Sequence, residues 1–195
     1  MESHDPLELF HDYWKTARQK NDPVADSLSL ATVDDQNKPH VRTVLLKTFR
    51  DGQIGFVTKA GGKKIAHIAH CSDVECCLSW PTLSLQVRMR CTTTEMENSI
   101  LDYLWSLRPR DAKIVYHLGF YQSAAIASYQ LLEKKFQELK NKLKGKKDIP
   151  RSKFYLGFIL HPYAIEFLYH NKSRLNKREL YEKKGEVWVK TILTP

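Results

Sequence analysis

Two short stretches concentrate the side chains able to hold an anion. RTVLLK, residues 42–47, carries Arg42 and Lys47 at its two ends, and VTKAGGKK, residues 57–64, brings together Thr58, two glycines and the pair Lys63-Lys64. A phosphate needs positive charge and several N–H or O–H donors converging on its oxygens, and this set holds both. The glycines let the main chain approach closely, and the KKIAHIAH that follows Gly62 has helical spacing, so N–H groups at a helix start face the same point. The arrangement is not a nucleoside-triphosphate loop: Val57 stands five positions before Gly62, and Ile65, not Ser or Thr, follows the lysines. Strand periodicity turns Arg42, Val44 and Leu46 to one face and Thr43, Leu45 and Lys47 to the other, so the two cations of RTVLLK point to different places. On periodicity alone they read equally well as solvated strand ends.

The segments around these stretches predict mostly strands, then helices, then strands. Asp5-Pro6 reads as an N-cap and first helical residue, and Leu7, Phe10, Trp14 and Ala17 form one apolar stripe behind it. LSLATV (28–33), HVRTVLLKTF (40–49) and IGFVT (54–58), joined by DDQNKP and RDGQ, read as an antiparallel meander. After the short KKIAHIAH helix come two more strand candidates, VECCLSW (74–80) and SLQVRMRCTT (84–93). From Glu95 the period becomes helical through EMENSILDYLWSL, a segment after RPRD, and a long helix with Leu132, Phe136, Leu139 and Leu143 on one stripe, ending at Gly145. FYLGFIL, AIEFLYH and EVWVKTIL return to strand character. The expectation is one α+β domain over residues 1–195, mainly β: a β-barrel with packed helices and a helical elaboration at about residues 95–145.

The chain has 195 residues, 42% of them apolar, enough for one sizeable core, and its formal net charge of +9 favours an anionic partner: nucleic acid, a membrane surface or a phosphorylated small molecule. The lysine-rich KNKLKGKKDIPRSK lacks interleaved aromatics and reads as a solvated helix end, which makes nucleic acid an unlikely partner. No apolar run approaches the roughly 20 residues of a membrane span, and MESHDPLELF is acidic and helical rather than a leader, so a soluble cytoplasmic protein is expected. Cys71, Cys76, Cys77 and Cys91 form no C-x-x-C pair, which argues against a zinc site and a disulfide framework. His67 and His70 stand three apart without a partner cluster of Cys, Asp or Glu; they read as ordinary helix residues, and no metal is expected.

In their order, RTVLLK, FVTKAGGKKIAHI, Gln86 in LSLQV, RPRD at 108–111, Gln122-Ser123 and SRLNKRELY at 173–181 resemble the successive motifs of pyridoxamine 5′-phosphate oxidase, across roughly Asp5 to Pro195. The resemblance implies a homodimeric split β-barrel that binds FMN and oxidises pyridoxamine or pyridoxine 5′-phosphate to pyridoxal 5′-phosphate, with molecular oxygen reduced to hydrogen peroxide. It implies that Arg42, Lys63 and Lys64, with Thr58, Val57 and Gly62 alongside, hold the FMN phosphate, and that Thr43, Val44, Leu45 and Gln86 line the flavin. Gln122, Ser123 and Arg178 would reach it across the dimer interface. Lys47 and Arg108 would take the phosphate of a vitamin B6 substrate, with Tyr103 and Asn176 near that substrate and Arg174 beside its ring as the residue closest to the chemistry.

The substrate half departs further from the family pattern than the cofactor half. Asn176 stands where the family has a histidine, Leu168 where it has a flavin-side tryptophan, Ala112 where it often has a serine, and Leu104 where a tyrosine is expected, with Tyr103 next to it. On the cofactor side Val57 replaces a tyrosine and Gly62 a serine. Two alternatives accompany the main reading: a sister flavin oxidase acting on another reduced aromatic, of the phenazine type, and a non-catalytic protein binding FMN or nucleic acid.

Overall fold

The computed structural model describes residues 5–48 and 52–195; Phe49, Arg50 and Asp51, from the anticipated strand end and turn, lie outside the described residues, as does the start of MESHDPLELF. Eight strands form one sheet in the order β3-β2-β1-β4-β5-β6-β7-β8, and an additional β3–β6 pairing closes six of them into a barrel. The strands are β1 (Ser27–Val33), β2 (Pro39–Thr48), β3 (Ile54–Lys59), β4 (Asp73–Trp80), β5 (Leu85–Glu95), β6 (Tyr155–Tyr169), β7 (Lys177–Lys184) and β8 (Val187–Leu193). In β1 the strict alternation of SLSLATV buries Leu28, Leu30 and Thr32 inside the barrel. Helix α1 (Pro6–Gln19) starts at Asp5, whose carboxylate accepts from the N–H of Leu7, and it lays Phe10, Trp14 and Ala17 against the barrel, with the Phe10 and Trp80 rings 5.8 Å apart.

Three features of the sheet differ from the sequence expectation. FYLGFIL and AIEFLYH are one fifteen-residue strand, β6, running through His161-Pro162-Tyr163. Pro162 is tolerated because the β5–β6 register shifts opposite it, between Arg90 and Cys91, where a missing N–H breaks no regular rung. The first part of β6 pairs with β3 and the later part with β7, so one strand closes the barrel and also extends the sheet beyond it. The polar KRELYEKK was not anticipated as a strand; it becomes β7 because β6 and β8 flank it and Glu179 and Tyr181 turn inward.

The helical elaboration is α3 (Asn98–Ser106), α4 (Arg110–Val115) and α5 (Tyr129–Lys142), while α2 (Lys63–His70) sits against the barrel between β3 and β4. A second apolar cluster that includes Ile100, Leu104, Trp105, Ile114 and Tyr155 lies under α3 and α4. Phe136, Leu139 and Leu143 only partly bury against it, and α5 stops at Lys142, three residues before the expected Gly145. Among the described residues, no helix is long and apolar enough to cross a membrane.

Candidate functional site

The barrel rim delivers Arg42 and the turn before α2 delivers the lysines. Arg42 shares the inward face of β2 with Val44 and Leu46, and its Nη1 donates to Thr32 Oγ1 at 2.6 Å and to the Leu30 carbonyl at 3.2 Å. Lys64, on the first turn of α2, is 6% exposed; its Nζ donates to Thr58 Oγ1 at 3.1 Å and to Gln122 Oε1 at 2.8 Å. Thr58 donates to the same amide oxygen at 3.0 Å, so Gln122 Oε1 occupies a point where an ammonium and a hydroxyl converge. The turn is tight around its glycines. Gly61 has φ +81° and a side chain there would collide with the Tyr121 ring, and a Cβ on Gly62 would come within 2.8 Å of Gln122 Oε1.

Among the described residues every partner of these two cations is neutral: a hydroxyl, a carbonyl or an amide. Burial pushes the Arg42 guanidinium below its ordinary value, and burial followed by the nearby Arg42 charge does the same to the Lys64 ammonium. Two partly desolvated like charges are costly side by side, and an anion between them relieves both penalties.

These groups line a cavity of about 630 Å³, within the usual size range for a small-molecule or cofactor site. Of the residues expected at a site, Arg42, Thr43, Val44, Val57, Thr58 and Gly62 line it, as do Lys63, Lys64, Arg108, Gln122 and Ser123. Arg108 lies with its guanidinium carbon 5.0 Å from the centre of the Tyr116 ring and 5.4 Å from that of Tyr155, and its buried Nε has no partner among the described residues. The rest of RPRD has structural duties: Arg110 donates to the carbonyls of Leu143 and Lys146, and Asp111 pairs with Lys140 of α5 at 2.7 Å.

The other expected residues lie elsewhere. Leu45 is on the outward face of β2 and more than half exposed, and the Lys47 charge acts on Asp26, away from the cavity, so one chain does not bring Lys47 and Arg108 to a common point. Tyr103 is 53% exposed while its neighbour Leu104 takes the buried position on α3. Gln86, Leu168 and Arg178 form one cross-strand row over β5, β6 and β7, with side chains on one face of the sheet. Arg178 Nε donates to Glu166 Oε1 at 2.8 Å, and Arg88 binds the other oxygen of that carboxylate. Burial would raise the Glu166 pKa, but the two guanidiniums together hold it below the ordinary carboxylate range. Arg174 and Asn176 occupy the exposed β6–β7 turn, where Arg174 has φ 65° and Asn176 Oδ1 accepts from the Asn171 N–H at 2.9 Å.

Gln122, expected across a dimer interface, lies in its own chain's cluster, where the loop after α4 returns it and its N–H donates to the Ala60 carbonyl at 3.2 Å. His67, read as an ordinary helix residue, lies on α2, is 7% exposed and is bonded through Nδ1 to Thr32 Oγ1 at 3.0 Å. Sequence reading also passed over Thr32, Lys59, Val115 and Tyr116. For Thr32 a signal existed, since alternation in SLSLATV puts its hydroxyl on the apolar face beside Leu30.

Comparison with known proteins places the chain in a family. The family described as pyridoxamine 5′-phosphate oxidase matches residues 24–143. The chain is 35% identical to the pyridoxine/pyridoxamine 5′-phosphate oxidase of Shewanella halifaxensis (strain HAW-EB4) over 98% of its own length and 89% of the relative's. It is 31% identical to the enzyme of the same name from Leptospira biflexa serovar Patoc, with the same two coverages. Among solved structures, PhzG from Burkholderia lata 383, in complex with tetrahydrophenazine-1-carboxylic acid, superposes with a TM-score of 0.90 at 22% identity, covering 100% of this chain and 94% of that one. A pyridoxamine 5′-phosphate oxidase-related, FMN binding protein from Nostoc punctiforme PCC 73102 gives 0.80 at 18% identity, covering 99% and 100%, so both share the split-barrel fold. With the motifs in order, the barrel closed by β3 and β6, and relatives above 30% identity over nearly its whole length, the chain belongs to the pyridoxamine 5′-phosphate oxidase family.

Proposed function

We propose that the cavity binds FMN by its phosphate and that the protein oxidises pyridoxamine or pyridoxine 5′-phosphate to pyridoxal 5′-phosphate, reducing oxygen to hydrogen peroxide. The observation that carries this reading is the pair Arg42 and Lys64, partly desolvated and held by neutral acceptors, Arg42 by Thr32 and the Leu30 carbonyl and Lys64 by Thr58 and Gln122. When bound, FMN supplies the redox chemistry, accepting a hydride equivalent from the substrate and passing electrons to oxygen. The chain's own residues bind and orient. Arg42, Lys63 and Lys64 neutralise the cofactor phosphate, Thr58 donates its hydroxyl, and Gly62 leaves the room that a side chain would fill. Rotation of the Gln122 amide turns its NH2 toward the arriving oxygens. Arg108, with an Nε unpartnered among the described residues and its place in the cavity lining, is suited to the substrate phosphate, so that binding energy far from the reacting carbon becomes alignment.

The row Gln86, Leu168 and Arg178 has no place in its own chain's cavity, which supports a homodimer in which each subunit covers the other's flavin; Lys47, Arg174 and Asn176 then belong to that shared site. The four free cysteines suit a reducing compartment, and we place the protein in the cytoplasm. A second reading keeps the flavin and changes the substrate to another reduced aromatic. Asn176 favours it, because its side chain is engaged with the Asn171 backbone and cannot titrate as a histidine would.

Purification followed by chromatography of the released flavin, and a peroxide assay with both B6 phosphates, tests the proposal. FMN together with peroxide formation is the expected result. Released FAD, or no uptake of FMN, removes the cofactor assignment; bound FMN without turnover of either phosphate moves the substrate to the second reading.

A further inference from the structure

Behind Arg42 lies an inner layer of side chains that has no place in the reaction as proposed. Thr32 Oγ1 sits 2.6 Å from Arg42 Nη1 and 3.0 Å from His67 Nδ1, and both Thr32 and His67 are more than nine-tenths buried. A guanidinium only donates, so the oxygen of Thr32 accepts from Arg42, and its hydroxyl proton is free to go to His67 Nδ1. That pairing needs His67 neutral, with its proton on Nε2. The surroundings agree: burial, then the charges of His40 and Arg42, with a smaller push from Lys63, hold the His67 imidazolium below its ordinary value, against an opposing pull from Asp34. The His40 ring lies 4.6 Å from that of His67, tilted by 45° to it, and is itself held by Asp34 at 2.9 Å. His67 also lies three residues after Lys64 on α2, so one short helix carries a direct cation and the prop for the other.

We infer that Thr32 and His67 are positioning residues for phosphate recognition: the relay from Arg42 through Thr32 to His67 aims the guanidinium, and His67 never touches the ligand. The inference rests on the reading of the cavity as an FMN phosphate site. An arginine loses much rotamer freedom on binding, and a guanidinium already locked by a one-way chain of hydrogen bonds loses less when the phosphate arrives.

The test compares FMN with riboflavin, which has the same ring and no phosphate, binding to the full chain freed of its flavin, by quenching of flavin fluorescence. Wild type is expected to bind FMN far more tightly than riboflavin. Thr32→Val keeps the shape and removes the hydroxyl; it is expected to weaken FMN roughly tenfold and leave riboflavin affinity unchanged. His67→Ala is expected to do the same. His67→Asn, which puts an acceptor oxygen near the position of Nδ1, is expected to restore most of the lost FMN affinity. Equal losses for both flavins in Thr32→Val, or no loss for either, overturn the inference, as does a folded His67→Asn no better than His67→Ala. A wild type that binds riboflavin as well as FMN overturns the reading of the cavity and this inference with it, whereas intact discrimination in every variant overturns the inference alone.

Discussion

The cavity between β2, β3 and α2 and the row on β5, β6 and β7 both present arginines, yet the arginines are differently employed. Arg42 and the neighbouring Lys64 are held by a hydroxyl, a carbonyl and an amide, so their charge is left over for a ligand. Arg178 and Arg88 share the carboxylate of Glu166, which is itself 7% exposed, so much of their charge is already answered within the sheet. A cation's role is legible from what neutralises it, more than from its exposure or its motif. The first region is a concave cavity; the second is an open face whose expected partner is another copy.

The largest contrast is expected from Arg42→Ala, which removes a charge-assisted contact worth about 1.5–3 kcal/mol and weakens FMN roughly ten- to a hundredfold by titration. Arg178→Ala in the same assay is expected to do less; an equal loss would break the distinction between leftover and answered charge. Next is Gly61→Ala, which forces a left-handed backbone on a residue with a Cβ and drives it into Tyr121; chemical denaturation is expected to show a loss of about 1–3 kcal/mol. Arg108→Ala should leave FMN bound and raise the KM for pyridoxamine 5′-phosphate about tenfold, the value of one such bond. An unchanged KM would return Arg108 to a purely structural role on Tyr116 and Tyr155.

The smallest effect concerns the second region and acid. Because the folded Glu166 carboxyl titrates below its ordinary value, its contribution to stability is complete above the unfolded pKa of roughly 4.3 and is lost as the pH falls through the folded value. Melting temperature followed from about pH 6 to about pH 3 should therefore fall less steeply in Arg178→Ala, which relaxes the shift. An unchanged slope would mean that Arg88 alone sets it.

What the sequence disclosed was local. RTVLLK and VTKAGGKK announce a strand, a turn and a helix start within a few residues, and their period fixes which side Arg42 faces. Contacts between distant segments carried no such signal. The bond from Lys64 to Gln122 spans 58 positions, and nothing in Gln122-Ser123 announces that this loop folds back onto its own barrel. The polar β7 became a strand because of its neighbours, and β6 ran through Pro162 because a register shift there tolerates it. Pattern reading also has no means of seeing that Tyr116 and Tyr155 make a floor for Arg108.

The amide of Gln122 has a kinetic consequence. Lys64 and Thr58 are buried and point at a protein oxygen, so on the proposed reading a phosphate entering the cavity would make a substitution, one oxygen for another, instead of dehydrating two bare donors. On that reading the site is a lock kept turned by a spare key: its donors hold their working geometry between ligands, and the amide that serves as the spare gives way by rotating.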